Sequence, residues 1–360
     1  MEILQQKYLS KFKSRDGSLY GLRLGNPGDA ELFTKAFVEI FGHEYIDAKV
    51  YDRDKLAEDI ARKNTVWFVG ELLDNEETEF CGGGAINIDN PTTASMIKLL
   101  ILPKFRGKGL LSEMGIKGVL NIFKTPQFKN VIRVNTETRA SIKNTQLSMR
   151  NQGSKPYAFN PIYANLGNRT YLNKKEEKPY VKGETLPIIY YQRALNDFWE
   201  RRNKVVYLLN NEDILFFYDY QVRNNRKMKK NDLLITMDDS NYKMHDVEIK
   251  QNYNLGAVNI TGYMHNIFIK MYLKKFKKWR YIDWRIPTTK EGVQSMKMAL
   301  ENGFNVIGYD IGSYLARDGT LYDSIFFAYF PKKVKLNPNE HLDIIKKNRP
   351  LVDKVLDSLQ

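Results

Sequence analysis

The stretch Arg106-Gly107-Lys108-Gly109 joins two apolar runs, "SMIKLLILPKF" before it and "LLSEMGIKGVL" after it. The first run reads as a strand and the second as a helix. The first N–H groups of a helix have no partner within it, and the helix dipole adds partial positive charge there. Gly107 and Gly109 remove the side chains that would keep a ligand off that backbone. Arg106 and Lys108 charge the rim, so these residue types in this order make a cradle for phosphate. The two commoner phosphate loops do not fit. A Walker A loop has wider Gly spacing and a Ser or Thr after its Lys, where this chain has Gly109. A dinucleotide-binding turn needs a third Gly and a later acidic residue, and neither follows at Leu111-Ser112.

Few other residues could do chemistry by spacing alone. One cysteine, Cys81, excludes an internal disulfide framework, and four scattered histidines lack metal-ligand spacing, so no metal is expected. Cys81 precedes Gly82-Gly83-Gly84 and has no histidine nearby in sequence. It reads as a small core residue, and the glycines as a bulge or a close backbone approach.

The elements that must position the basic turn follow from periodicity. "LYGLRL" alternates as a strand from residue 19, "GNPGD" turns, and Asp29 is placed to cap the helix "AELFTKAFVEIF". A looser helix over "DRDKLAEDIARK" precedes the strands "TVWFVGEL" and "EFCGGGAINI" and then "SMIKLLIL". Beyond the turn the helix is expected to run to about Phe123. "NVIRVNTE" then reads as a strand, "SIKNTQLSMRNQG" as a short helix ending at Gly153, and "PYAFNPIY" as a strand. Residues 166–187 are polar with scattered Gly and Pro and predict a linker. A second strand-and-helix succession covers 188–335, and 336–360 reads as a helical segment interrupted at Pro350. "VIRVNTETRASIKNTQLSMRNQGSKPYAFN" and "YIDWRIPTTKEGVQSMKMALENGFNVIGYD" share the succession strand, Arg, Thr, helix, Gly, strand, a weak internal repeat.

The "ILP" run followed by Arg106-Gly107-Lys108-Gly109-Leu110-Leu111 resembles motif A of the GNAT superfamily of N-acetyltransferases, which reads Arg/Gln-x-x-Gly-x-Gly/Ala after a strand. The resemblance covers about 19–165, including "LRLGNPGDAELFTKAF" and "TQLSMRNQGSKPYAFNP". It implies an α/β (α+β) fold with a mixed, mostly antiparallel central sheet flanked by helices, and acetyl-CoA or another acyl-CoA as co-substrate. Carried over residue by residue, Arg106, Gly107, Lys108, Gly109, Leu110, Leu111 and Ser112 would hold the CoA pyrophosphate. Leu100, Ile101 and Leu102 would contact the pantetheine. Leu111 departs from the pattern, since the family has Gly or Ala there. Residues 188–335 resemble a degenerate copy: "LENGFNVIGY" fits, whereas "NITGYMHNIF" lacks the Arg/Gly loop, which implies a duplicated fold with one CoA site.

Acyl transfer to an amine needs that amine neutral. A lysine-type amine has a pKa of ~10.4, so a base or water chain is required. Members of the superfamily often carry a Glu early on the strand before motif A and a Tyr on the late helix. This chain has Ser95 and "QLSMRN" in those places, and its catalytic residues stay unassigned. Candidates by position are Glu44, beside His43 in the segment between the first two helices, Glu137 just past a strand end, and Tyr157 after the late helix. Each reads more readily as an ordinary structural or surface residue.

With 360 residues the chain suggests two domains, and its formal charge of +14 favours anionic partners. Lys274, Lys275, Lys277 and Lys278 surround Phe276 and Trp279 and raise nucleic acid as a partner. The sequence favours a solvated helix face with both rings in the core. No apolar run reaches the ~18 residues of a membrane span, and the first residues lack the order of a signal peptide. The expectation is a soluble cytoplasmic enzyme acting on a small-molecule or peptide amine.

Overall fold

The alternation read from "SMIKLLIL" becomes alternating burial in the sheet strand Thr93–Ile101, whereas "LYGLRL" forms the strand Leu19–Leu24 but buries Tyr20, Gly21 and Leu22 in succession. The computed structural model describes residues 7–43, 45–73, 77–166, 184–240 and 245–359. The chain divides into two units. The first comprises 1–137, 147–154 and 192–196, and the second 138–146, 155–191 and 197–360. Both mix strands and helices around mostly antiparallel sheet, as expected. Glu44 and residues 167–183, most of the expected linker, lie outside the described residues, while 184–187 belong to a strand.

The first unit is built on β1 (Ser10–Lys13), β2 (Leu19–Leu24), β3 (Thr65–Leu72), β4 (Glu79–Asn90), β5 (Thr93–Ile101) and β6 (Arg133–Arg139), hydrogen-bonded in that order. All steps are antiparallel except β5 to β6. Helices α1 (Ala30–Phe41) and α2 (Arg53–Ile60) join β2 to β3. After β5 a single helical path runs through α3 (Leu110–Glu113), a π-helical stretch Met114–Val119, and α4 (Leu120–Ile122). Helix α5 (Lys143–Asn151) follows β6. Trp67, Phe68, Phe33, Phe37, Tyr20 and Leu22 are fully buried in this unit. Gly118 lets the helical path settle on the sheet, because a Cβ there would come within 2.6 Å of Leu22 Cδ2.

The second unit begins with β7 (Lys155–Leu166) and β8 (Glu184–Ala194). Its further elements are α6 (Phe198–Arg201), β9 (Val205–Leu209), α7 (Glu212–Asn224), α8 (Arg226–Asn231), β10 (Leu233–Met237), β11 (Asp246–Asn252), β12 (Ala257–Tyr263), α9 (Asn266–Lys275), β13 (Tyr281–Pro287), α10 (Lys290–Glu301), β14 (Asn305–Leu315), β15 (Leu321–Tyr329), α11 (Pro338–His341) and α12 (Arg349–Asp357). The sheet order is β8-β7-β14-β15-β13-β12-β11, with β9 and β10 forming a separate parallel pair. Its ionic centre is Arg202, whose guanidinium bonds Asp323 at 2.7 Å and Asp232 at 2.7 and 2.8 Å. Tyr309 and the Gly312 N–H also donate to Asp323, so this buried charge cluster is richly hydrogen-bonded, the condition under which burial is tolerable.

Two local expectations are corrected. Asp29 does not cap α1 with its side chain. Its carboxylate accepts from Arg23 at 2.7 and 2.9 Å and from the Asn26 N–H, and Asn26 caps the short turn Pro27–Asp29. Pro350 does not interrupt the last helix. It stands in the first turn of α12, where its missing N–H has no intrahelical acceptor to lose.

Arg23 also donates to Glu71 at 2.8 Å, and Tyr8 donates to the other Glu71 oxygen at 2.7 Å. Burial pushes both carboxyls up, but the bonds from Arg23 and, for Glu71, from Tyr8 outweigh it and leave both below the usual carboxylate range. A depressed folded pKa gives stability that is present above the unfolded value, about 4, and lost as pH falls below it. Arg23→Gln is therefore expected to destabilise the protein most at neutral pH. In urea melts from pH 7 to pH 3, its deficit against wild type should narrow below about pH 4.

Candidate functional site

Strand β5 leaves its parallel neighbour halfway along. It pairs with β6 at Thr93–Arg133, Ala94–Val134, Ser95–Asn135 and Met96–Thr136, and among the described residues no further pair follows. From Ile97 to Ile101 the strand keeps only its β4 side. A bulge marks the same place: Gly83 faces Leu100 and Ala85 faces Ile97, so Lys98 and Leu99 together oppose Gly84. Lys98 has φ 56°, one of two non-glycine residues with positive φ among the described residues. A lysine gains nothing from that conformation by itself. Its buried ammonium gains Asp59 at 2.7 Å and Asp47 at 3.0 Å and lies 5.2 Å from the Trp67 ring centre. The Gly82-Gly83-Gly84 run does serve a close approach, since a Cβ on Gly83 would stand 2.3 Å from Phe68 O.

The unpaired edge of β5 runs directly into the basic turn. Leu100 and Leu102 are buried and Ile101 half-buried, while Arg106 is exposed and its Nε donates to Ile101 O at 3.1 Å. Gly107 and Gly109 have φ 81° and 76°, the left-handed region that glycine enters without a Cβ clash. Backbone bonds resume only at Ser112 and Glu113, both to Gly109 O at 3.1 Å. Among the described residues, nothing accepts from the N–H groups of Gly107, Lys108, Gly109, Leu110 or Leu111. Five successive donors, the first and third on left-handed glycines, form a concavity of the kind that can bind an anion. The neighbouring open edge can take hydrogen bonds from an extended, amide-bearing chain as a missing strand would.

Leu111, the departure from the expected small residue, is half-buried and lines a small cavity with Phe68, Met96, Leu99, Met114 and Gln152. Leu110 is buried. Ser112 donates to the Ser148 hydroxyl of α5 at 3.1 Å, and Gln152 donates to Ser148 Oγ at 3.0 Å and Leu111 O at 3.4 Å. Gly115 admits Gln152, because a Cβ there would stand 2.0 Å from it. These contacts fix the start of the helical path against α5.

The catalytic candidates are scattered. Glu44 lies outside the described residues, and the neighbouring His43 is exposed, its ring 5.1 Å from that of Tyr51. Glu137 is exposed and stands within β6 rather than past its end. Tyr157 is buried in the second unit with its ring 5.6 Å from Tyr190 and 6.5 Å from Phe326. Ser95 donates to Asp89 Oδ2 at 2.5 Å. Burial pushes the Cys81 thiol up to about 12, which suits a packing residue. Phe276 and Trp279 are buried while Lys274, Lys275, Lys277 and Lys278 are exposed, and α9 ends at Lys275, so the second half of this stretch is a turn and not helix. Among the described residues, no group of three or more His, Cys, Asp or Glu could hold a metal ion, and no helix is long and apolar enough to cross a membrane.

Sequence reasoning missed Lys98 because nothing in "SMIKLLIL" distinguishes a bulged lysine from a solvent-facing one. The signal was on the partner strand, in the glycines. The left-handed backbone at Lys98 makes an inverted outcome expected: Lys98→Gly should be more stable than Lys98→Ala, by about 1 kcal/mol. Both should fall below wild type by roughly 2 kcal/mol, less than for a fully isolated buried charge, because Arg62 remains 3.2 Å from Asp59. Denaturant melts of the two variants decide it. An alanine variant more stable than the glycine one would contradict the bulge.

No protein-family model and no curated protein matches the chain. Solved structures similar to it include ribosomal-protein-S5-alanine acetyltransferase from Vibrio fischeri, at 12% identity and TM-score 0.39, covering 52% of this chain and 98% of that one. RimJ of Mycobacterium smegmatis, in complex with CoA-disulfide, is similar at 15% identity and TM-score 0.37 over 51% of this chain and 86% of its own. Spermidine N-acetyltransferase from Vibrio cholerae, in complex with CoA and spermine, is similar at 12% identity and TM-score 0.37 over 49% of this chain and 95% of its own. Each likeness spans about half of this chain, at an identity too low to carry function across.

Proposed function

We propose that the protein is an acyl-CoA-dependent N-acyltransferase, with acetyl-CoA as donor and an amine as acceptor. The observation that carries this reading is the run of unengaged N–H groups from Gly107 to Leu111, placed where β5 ends its unpaired edge. Backbone groups of Gly107, Lys108, Gly109, Leu110 and Leu111, with Ser112 and the exposed Arg106, would hold the pyrophosphate. Leu100, Ile101 and Leu102 would flank the pantetheine chain, whose amides suit an open strand edge. When bound, acyl-CoA supplies a thioester, the electrophile for an amine. The chain's own part is to exclude water with Leu100, Leu102 and Leu110 and to orient the donor by backbone hydrogen bonds.

The reading includes a duplicated architecture, with residues 19–165 binding CoA, 166–187 connecting, 188–335 a degenerate copy and 336–360 a C-terminal helical segment. What supports it is a repeated succession. In the second unit β12 pairs parallel with β13 across α9, and α10, β14 and β15 follow. In the first, β5 pairs parallel with β6 across the helical path, and α5 follows. The single, buried Cys81 accords with a cytoplasmic setting.

A non-catalytic CoA-binding protein is the second reading. It is favoured by Ser95, held on Asp89, and by α5, which carries Ser148 and Met149 but no tyrosine. Calorimetry with acetyl-CoA and thiol release across a panel of small amines and peptide N-termini separate the two. The enzyme reading expects binding together with amine-dependent thiol release. Binding without turnover on any amine leaves the second reading, and no binding at all removes both.

A further inference from the structure

A second turn of the chain is attached to the basic loop. The β1–β2 turn, Ser14-Arg15-Asp16-Gly17-Ser18, meets it through the Arg15 N–H, which donates to Lys108 O at 3.2 Å. The Arg15 side chain then crosses over Gly109: a Cβ on that glycine would stand 2.9 Å from Arg15 Nε and 3.2 Å from its Cδ. No group among the described residues accepts from the Arg15 guanidinium. Asp16, the next residue, forms an ion pair with Lys108 at 2.8 Å and is held by the Ser14 hydroxyl and the Ser18 N–H. The loop therefore has three cations at its rim, Arg15, Arg106 and Lys108, and one carboxylate that occupies Lys108.

We propose that the β1–β2 turn completes the acyl-donor site, with Arg15 selecting for the phosphorylated end of the donor and Asp16 serving as a resident counter-anion that an incoming phosphate displaces from Lys108. This rests on the acyl-CoA reading and adds to it two residues outside the loop, Arg15 and Asp16, that set how the donor's phosphates are recognised. Three arguments lead there. An exposed guanidinium without a protein acceptor, lying over a glycine that cannot block it and anchored through its backbone N–H to Lys108 O, is available to an anion. The five N–H donors beside it are fixed partial charges of the same sign, so the cations and the dipoles favour the same ligand. Asp16 keeps Lys108 near the rim while no phosphate is bound. Because both side chains are partly exposed, their pair is weak enough to exchange for a more highly charged partner.

The experiment is calorimetric titration of the full chain with CoA and, separately, with pantetheine, which carries no phosphate. Arg15→Gln is expected to weaken CoA binding about tenfold, the loss of one charge-assisted contact, and to leave pantetheine binding unchanged. Arg15→Lys should recover part of the loss. Asp16→Asn should tighten CoA binding about threefold, because Lys108 is released and a repelling charge removed. Wild type binding CoA while Arg15→Gln and Asp16→Asn both stay within twofold of it overturns the proposal and leaves the acyl-CoA reading standing. Weakening by Arg15→Gln with a silent Asp16→Asn overturns the counter-anion role alone. An equal loss of CoA and pantetheine binding in Arg15→Gln assigns Arg15 to holding the loop's shape and overturns its role as a phosphate contact. Failure of wild type to bind CoA overturns the acyl-CoA reading and this proposal together.

Discussion

A strand that parts from its neighbour exposes backbone N–H and C=O groups, and each must find another partner or face water. The first unit is organised around one such parting, at Met96 of β5. The two-against-one bulge opposite Gly84 redirects the strand, and Gly83 lets β4 approach β3 closely enough to keep the other edge paired. Lys98 takes the strained backbone position, and its ammonium, set between Asp59, Asp47 and the Trp67 ring, ties the bulge to α2 and the segment before it. An isolated surface lysine would not offset that conformation, whereas a buried one with two carboxylates does. Everything that follows in the chain, from the open edge to the donor-rich loop, starts from the direction this bulge sets.

Much of the sheet was legible because its strands announce themselves by apolar patterning and their turns by Gly, Pro and Asn, as at "GNPGD". The glycine-bearing loop after β5 was legible for a related reason. Glycines at left-handed positions between a strand and a helix have few other uses, and Gly107 and Gly109 occupy such positions. Shorter elements were not. β1 has four residues, a length at which no periodicity can be read, and β10 is held by its partner β9 rather than by any pattern of its own. Asp29 looked like a helix cap because local spacing cannot see Arg23 six residues earlier on the sheet, which claims its carboxylate. Arg15 gave no signal either, since its meaning comes from a glycine 94 positions later in the chain.

The second unit shows what the same topological step looks like when the chain satisfies it internally. β12 gives way to α9 through Met264 and His265, and β12 and β13 run parallel as β5 and β6 do. There, however, pairing persists from Ala257 to Thr261, and four backbone donors of the junction, Met264, Ile267, Phe268 and Ile269, find acceptors. Met264 N–H bonds Ser295 Oγ at 3.2 Å, Phe268 and Ile269 N–H groups reach His265 O, and Ile267 N–H is directed at the His265 ring nitrogen. Gly262, the one glycine at that junction, is pressed against Asp246 O, where a Cβ would stand 2.1 Å away, so its missing side chain serves sheet packing and not a ligand. A junction that engages most of its donors has fewer of them to offer an anion. The difference between the two junctions is therefore one of hydrogen-bond accounting rather than of fold: among the described residues, the one that follows β5 leaves five successive N–H groups unengaged.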